Sequence, residues 1–247
     1  MRIARYAVDE TMRYGVADAD AVSDLIGDPF AGQVKPSGVR HNLGDVRLLA
    51  PVLPRSKVVS LTGGGLLIKP NTSVVGPGEA VQIPASSAPV VTGELAIVIA
   101  RICRSVPVAR APEVIFGYTA AANVLAPDKV AGGQPWGLAG SWDTFTPLGP
   151  WVVTHLSLEE AGTLGIVTQA GPDKARRTTT KDLHFGIAQA VALVSSVMTL
   201  LPGDVILAGD AGPSLPLAAG ETVTVEIEEI GELSNPVIDE AGYGARV

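Results

Sequence analysis

Thr92-Gly93-Glu94-Leu95-Ala96 opens the stretch on which the fold reading turns, and the mostly apolar Ile97 to Ile102 continue it. The span Gly93 to Arg104 reads as a strand, buried from Ile97 to Ile102. Residues two apart on a strand point the same way, so Thr92 and Glu94 share one face. Cys103, at the end of the run, is the single cysteine of the chain, which rules out an intrachain disulfide. It reads as an inert core thiol rather than a nucleophile.

Outward from this run, short strands recur. Val58 to Leu61, Leu66 to Lys69, Ile115 to Asn123, Trp151 to His155, Gly165 to Gln169, Asp204 to Ala208 and Glu221 to Ile227 all carry the pattern. Val223, Val225 and Ile227 alternate with Thr222, Thr224 and Glu226, as a half-solvated strand requires. One long helix is expected from Asp182 to Met198, with Ile187, Ala190, Val191, Val194 and Val197 on its buried face. A short helix is expected over Leu158 to Gly162. Residues 1 to 50 read as a small N-terminal β lobe, with Met1–Val8 and Arg13–Val16 as a hairpin, followed by the main domain over 51 to 247. The class is α+β, dominated by a curled mixed β-sheet.

Composition narrows the function. A net charge of −7 without a large basic cluster argues against nucleic acid as a partner. No apolar run approaches the ~20 residues of a membrane span, so no membrane partner is expected. The N-terminus shows no signal-peptide core, and with the lone cysteine this suggests a cytoplasmic setting. The 28 glycines and 19 prolines are spread along the chain, which suits many short strands and tight turns.

Three further segments join the opening stretch: Gly117-Tyr118-Thr119-Ala120-Ala121-Ala122-Asn123, Asp143-Thr144-Phe145-Thr146-Pro147-Leu148-Gly149-Pro150-Trp151, and Thr199-Leu200-Leu201-Pro202-Gly203-Asp204-Val205-Ile206-Leu207. Together they resemble the fumarylacetoacetate hydrolase family, and the resemblance runs from Arg47 to Val237. It implies a β-rich roll of mixed sheet, with one main helix packed on it and the small N-terminal lobe ahead of it. It also implies a Mg²⁺ ion held by three carboxylates, at which members cleave, decarboxylate or isomerise 1,3-dicarbonyl compounds.

The chemistry-bearing positions of that pattern are altered here. Two of the three carboxylate positions read Thr92 and Asn123, and Glu94 alone is kept. Ala122 and Leu125 replace polar positions beside Asn123, Pro127 stands for an arginine, and Gly140 for a lysine. A threonine-rich loop becomes Ala208-Gly209-Asp210-Ala211. The segment that carries a histidine and a lid in relatives is shortened to Thr62-Gly63-Gly64-Gly65. The three remaining histidines, His41, His155 and His184, lie elsewhere and read as structural or solvated. One carboxylate with neutral Thr92 and Asn123 oxygens is a poor cage for Mg²⁺, so no metal and no other cofactor is expected.

What survives is Lys69 and Glu94, both at pocket positions of the resemblance. They read either as a buried salt bridge or as a catalytic pair, a cation polarising a carbonyl and a carboxylate orienting it. The expected substrate site is an apolar pocket formed with Thr92, Ala122, Asn123, Leu125, Trp136, Gly140 and Asp210. Three functions follow as expectations. The first is a metal-independent isomerase, cyclase or lyase acting on a fairly apolar, carbonyl-bearing small molecule. The second is a non-catalytic subunit or ligand-binding partner of an active relative, and the third a residual Mg²⁺ hydrolase or decarboxylase. A homodimer, or a heteromer with a relative, is the expected assembly.

Overall fold

The structure is a computed structural model, and it describes residues 1–130 and 134–240. In chain order the strands are β1 (Arg2–Val8), β2 (Thr11–Ala17), β3 (Ala21–Ile26), β4 (Lys35–Asn42), β5 (Arg47–Leu49), β6 (Val58–Ser60), β7 (Leu67–Lys69), β8 (Val74–Val75) and β9 (Val81–Ile83). They continue with β10 (Val90–Ile99), β11 (Ile115–Leu125), β12 (Thr146–Val153), β13 (Gly165–Ala170), β14 (Lys174–Thr179), β15 (Val205–Leu207), β16 (Leu215–Pro216), β17 (Thr222–Ile227) and β18 (Gly231–Asp239). Two α-helices, α1 (Leu158–Ala161) and α2 (Ile187–Val197), interrupt them.

The large sheet runs β4-β3-β2-β1-β12-β11-β10-β15-β6-β7, with β5, β8 and β16 as side branches. A smaller sheet runs β14-β13-β17-β18-β9. Most pairings are antiparallel, but β15 with β6, β12 with β8 and β18 with β9 are parallel, so both sheets are mixed. This is the α+β, strand-dominated class read from the sequence. The N-terminal hairpin forms as expected and carries a small core of its own around Tyr6 and Val22. Its strand β1 pairs with β12, so the N-terminal strands continue the large sheet.

The main core lies between the sheets. Leu95, Ile97 and Ile99 of β10 meet Val223, Val225 and Ile227 of β17 and Leu233 of β18. Close approach here needs Gly93. A Cβ at that position would collide with the Thr168 hydroxyl and stand 2.9 Å from Val225 Cγ1. With one face of β10 buried against the second sheet, the alternate residues Thr92 and Glu94 must face the other way.

Two expected elements are shorter than their patterns suggested. The strand through Glu94 ends at Ile99, where Ala100 donates its N–H to Val114 and the chain turns away. Cys103 therefore sits in a loop, partly buried and bridged to Leu200, and burial pushes its thiol above the ordinary range. The main helix begins at Ile187, not Asp182. The Thr180 hydroxyl accepts the Leu164 N–H at 2.9 Å, and Thr180 donates its own N–H back to the Leu164 carbonyl at 2.9 Å. These bonds tie the segment to the lead of β13 in a 3-10 turn, and the helix starts only after Gly186. Ile187, Ala190, Val191 and Val194 face the core, whereas Val197 is 56 % exposed. The short helix forms as expected, with Ser157 and Glu160 in a reciprocal capping box.

Candidate functional site: a closed polar cluster

Period-two alternation and strand register build the site together. Thr92 and Glu94 share a face of β10, and Thr92 stands opposite Asn123 of β11. From the far edge of the sheet, β6 and β7 bring Ser60 and Lys69 to the same face. The result is a polar knot inside an apolar shell: Ser60, Lys69, Glu94 and Asn123 are fully buried and Thr92 is nearly so.

Asn123 is the centre of the knot. Its Oδ1 accepts from Lys69 Nζ at 2.7 Å, and its Nδ2 donates to Glu94 Oε1 at 2.7 Å and Thr62 Oγ1 at 2.8 Å. A lysine ammonium only donates and a carboxylate only accepts, so their partners force this orientation of the amide. Lys69 Nζ completes its shell with the Val124 and Phe145 carbonyls at 3.0 and 2.9 Å. Glu94 Oε1 also accepts from Thr92 Oγ1 at 2.8 Å and Thr62 Oγ1 at 3.4 Å, and Oε2 accepts the Gly209 N–H at 3.0 Å. Gly209 has φ +102°, and a Cβ there would stand 2.7 Å from the Leu61 carbonyl oxygen, so glycine is the residue that lets this N–H reach Glu94.

The electrostatics follow from burial. Desolvation pushes the Lys69 ammonium down to about 7, opposed by the attraction of Glu94. Desolvation pushes Glu94 above the usual carboxylate range, and nearby Asp210 pushes it further, while bonds from Asn123 and Thr92 and the charge of Lys69 pull it back. Asp210 accepts the Gly63 N–H at 3.1 Å, latching the turn between β6 and β7 to the loop after β15. The cluster lies beneath these two short segments.

Several expectations are corrected here. Lys69 and Glu94 do not form a direct salt bridge; the Asn123 amide stands between them. Lys69 has no free N–H with which to polarise a carbonyl, since its three protons meet three protein acceptors. In this geometry Lys69 holds the Asn123 amide in place. Ala122 does not belong to the site: alternation turns it to the opposite face, into the main core beside Val124. Leu125 and Gly140 do reach the cluster but fill it, because a Cβ on Gly140 would lie 2.7 Å from Leu67, 3.0 Å from Leu125 and 3.6 Å from the Lys69 side chain. Among the described residues the Glu94 side chain is fully enclosed. A cavity of about 410 Å³ opens instead along the neighbouring loop, lined by Leu138, Ser141, Trp142, Asp143, Gln82 and Glu240. Trp136, expected as a pocket wall, is half exposed at the head of the turn Trp136–Ala139.

Ser60, Thr62 and the Gly209 N–H were not singled out from the sequence. The available signal was a serine in phase with Val58 in an apolar strand. The histidines play no part: His155 meets the N-terminal amine, His41 packs edge-on to Tyr6 and His184 edge-on to Phe185.

These residues do not fit a divalent cation. Among the described residues no three His, Cys, Asp or Glu side chains gather as a cage. The amide nitrogen of Asn123 points at Glu94 where a ligand oxygen would be needed. An ammonium occupies the other side of the same amide, and both Glu94 oxygens are taken by N–H and O–H donors.

A sequence model described as "Fumarylacetoacetate (FAA) hydrolase C-terminal" matches residues 55–238, and a second, "Rv2993c-like, N-terminal", matches residues 1–51. The chain is 37 % identical over 262 residues to Protein Rv2993c of Mycobacterium tuberculosis, covering 96 % of this chain and 98 % of that one. A structure of 5-carboxymethyl-2-hydroxymuconate delta-isomerase from Mycobacterium smegmatis superposes with a TM-score of 0.86 at 37 % identity, over 97 % of this chain and 100 % of that one. A structure of 2-hydroxyhepta-2,4-diene-1,7-dioate isomerase from Mycobacterium marinum gives 0.90 at 35 % identity, over 98 % and 100 %. By these matches and the shared fold, this chain belongs to the fumarylacetoacetate hydrolase family.

Proposed function

We propose that this chain acts without a divalent metal, as an isomerase, cyclase or lyase on a fairly apolar, carbonyl-bearing small molecule, with Glu94 as its proton-transfer group. The observation that carries the metal-independent part is the Asn123 amide, a donor placed 2.7 Å from Glu94 Oε1 and held there by Lys69. The isomerase names of the two solved neighbours support the reaction class. Relocating a double bond needs one group that takes a proton from carbon and returns it to another carbon, so the substrate leaves with its atoms and electrons unchanged in number. A carboxylate whose proton affinity burial raises above the ordinary range suits that task. Thr92, Thr62 and the Gly209 N–H orient it. Access requires the glycine turn 63–65 to lift from Asp210, a single exposed hydrogen bond.

The second reading is a non-catalytic subunit, paired with itself or with an active relative. The full burial of Lys69 and Glu94 and the completeness of their hydrogen bonds favour it. One experiment separates these readings from a residual Mg²⁺ enzyme: solvent deuterium exchange of 2-oxo acid and 1,3-dicarbonyl probes, followed by NMR with and without EDTA. Exchange at least tenfold above buffer, insensitive to EDTA and lost in Glu94→Gln, is the expected result. Exchange abolished by EDTA would instead assign a metal enzyme, and no exchange with any probe would assign the subunit role. Calorimetry with Mg²⁺ should show no tight binding by the natural chain and stronger binding by the pair Thr92→Glu with Asn123→Asp.

A further inference from the structure

The connection between β10 and β11 sets Arg101, Arg104 and Arg110 around one cavity of about 350 Å³. In a chain of net charge −7 this is not the overflow of a generally basic surface. Arg110 is already committed, its Nε and Nη2 holding the Glu113 carboxylate at 3.0 and 2.8 Å. Arg101 and Arg104 form no ion pair among the described residues. With Glu113 neutralised by Arg110, the cavity carries two uncompensated guanidinium charges.

The backbone that bears them is held in place. Cys103 and Leu200 exchange both backbone hydrogen bonds, at 3.0 and 2.9 Å. Ser105 donates its N–H to the Ser195 carbonyl at 2.8 Å, and Val106 donates to Ser195 Oγ at 3.0 Å. Four bonds to the segment around the end of α2 thus fix the loop before any ligand arrives, which lowers the ordering cost of binding.

We propose that this cavity binds a small organic dianion, a phosphate ester or a dicarboxylate, gripped between Arg101 and Arg104. Guanidinium forks match the paired oxygens of both groups, and the shared chemistry is two negative charges on planar or tetrahedral oxygens. The site lies at the Ile99 end of β10, away from Glu94, and stands whether or not the Glu94 cluster is catalytic.

Calorimetry of the full chain at low ionic strength, with inorganic phosphate and succinate as probes, tests this. Saturable binding is expected, weakened by added salt, about tenfold weaker in Arg101→Gln or Arg104→Gln and lost in the double variant. Circular dichroism and the melting temperature should stay at wild-type values in all three, since both side chains are exposed. The better of the two probes identifies the ligand class. No saturation by either probe up to about 10 mM, or unchanged affinity in the double variant, overturns the proposal.

Discussion

Lys69 is fully buried, and that burial gives the residue a pH signature. Its ordinary value of 10.5 falls to about 7 in the folded chain, chiefly through burial. Between those values the unfolded chain binds more protons than the folded one, so the contribution of Lys69 to stability grows as pH rises from about 7 toward 10.5. It is complete above the unfolded value and lost as pH falls to the folded one. Glu94 acts in the opposite sense: its raised folded value gives stability that is present at low pH and lost as pH rises through that value. Lys69→Met should cost about 1–3 kcal/mol, because Asn123 Oδ1 loses its buried donor. The melting-temperature gap between wild type and variant should widen from pH 7 to pH 9; parallel curves would show that Lys69 does not titrate there. The identities of Lys69, Glu94 and Asn123 as a set were legible in the sequence. Their wiring was not, since a charge pair and an amide-bridged triad have the same residues.

At the level of elements, β17 was legible by its period-two alternation, and β10 and β11 by apolar runs buried on both faces. The helix boundary was not, because Thr180 bonds to Leu164 across the fold and closes a 3-10 turn instead of a helical one. Tertiary hydrogen bonding there overrides a helical pattern. One side-chain bond joins the three backbone bonds between the segment around the end of α2 and the loop after β10: the buried Ser195 hydroxyl accepts from Val106 and donates to the Ala192 carbonyl. Ser195→Ala leaves the Val106 N–H without a partner and should destabilise the protein by about 1–3 kcal/mol, read from the denaturant midpoint. A change below a few tenths would mean that the loop is held by its backbone bonds alone. The mutation also bears on the arginine-lined cavity, since the same bond positions the segment between Arg104 and Arg110.

Across the whole molecule, the N-terminal strands extend the large sheet beyond β12. Beta1 covers β12, and Phe30 packs on Phe116 at 4.6 Å within a cluster that includes Val52, Val58 and Val152. Removing residues 1–51 should expose an unpaired strand and this apolar face, and the fragment should aggregate on size-exclusion chromatography. A monodisperse fragment with the parent's melting temperature would show those strands to be dispensable. The sequence by itself determined the strand-rich class and the shared face of Thr92 and Glu94, because residue type and alternation are local properties. Only the tertiary structure decided that Asn123 joins Lys69 to Glu94, that Ala122 turns into the core, and that Leu67 and Leu125 close the space beside Gly140. Those outcomes depend on the register of β10 against β11 and on the placement of β7 at the far sheet edge. Register is set by long-range pairing and packing, which no window of neighbouring residues contains.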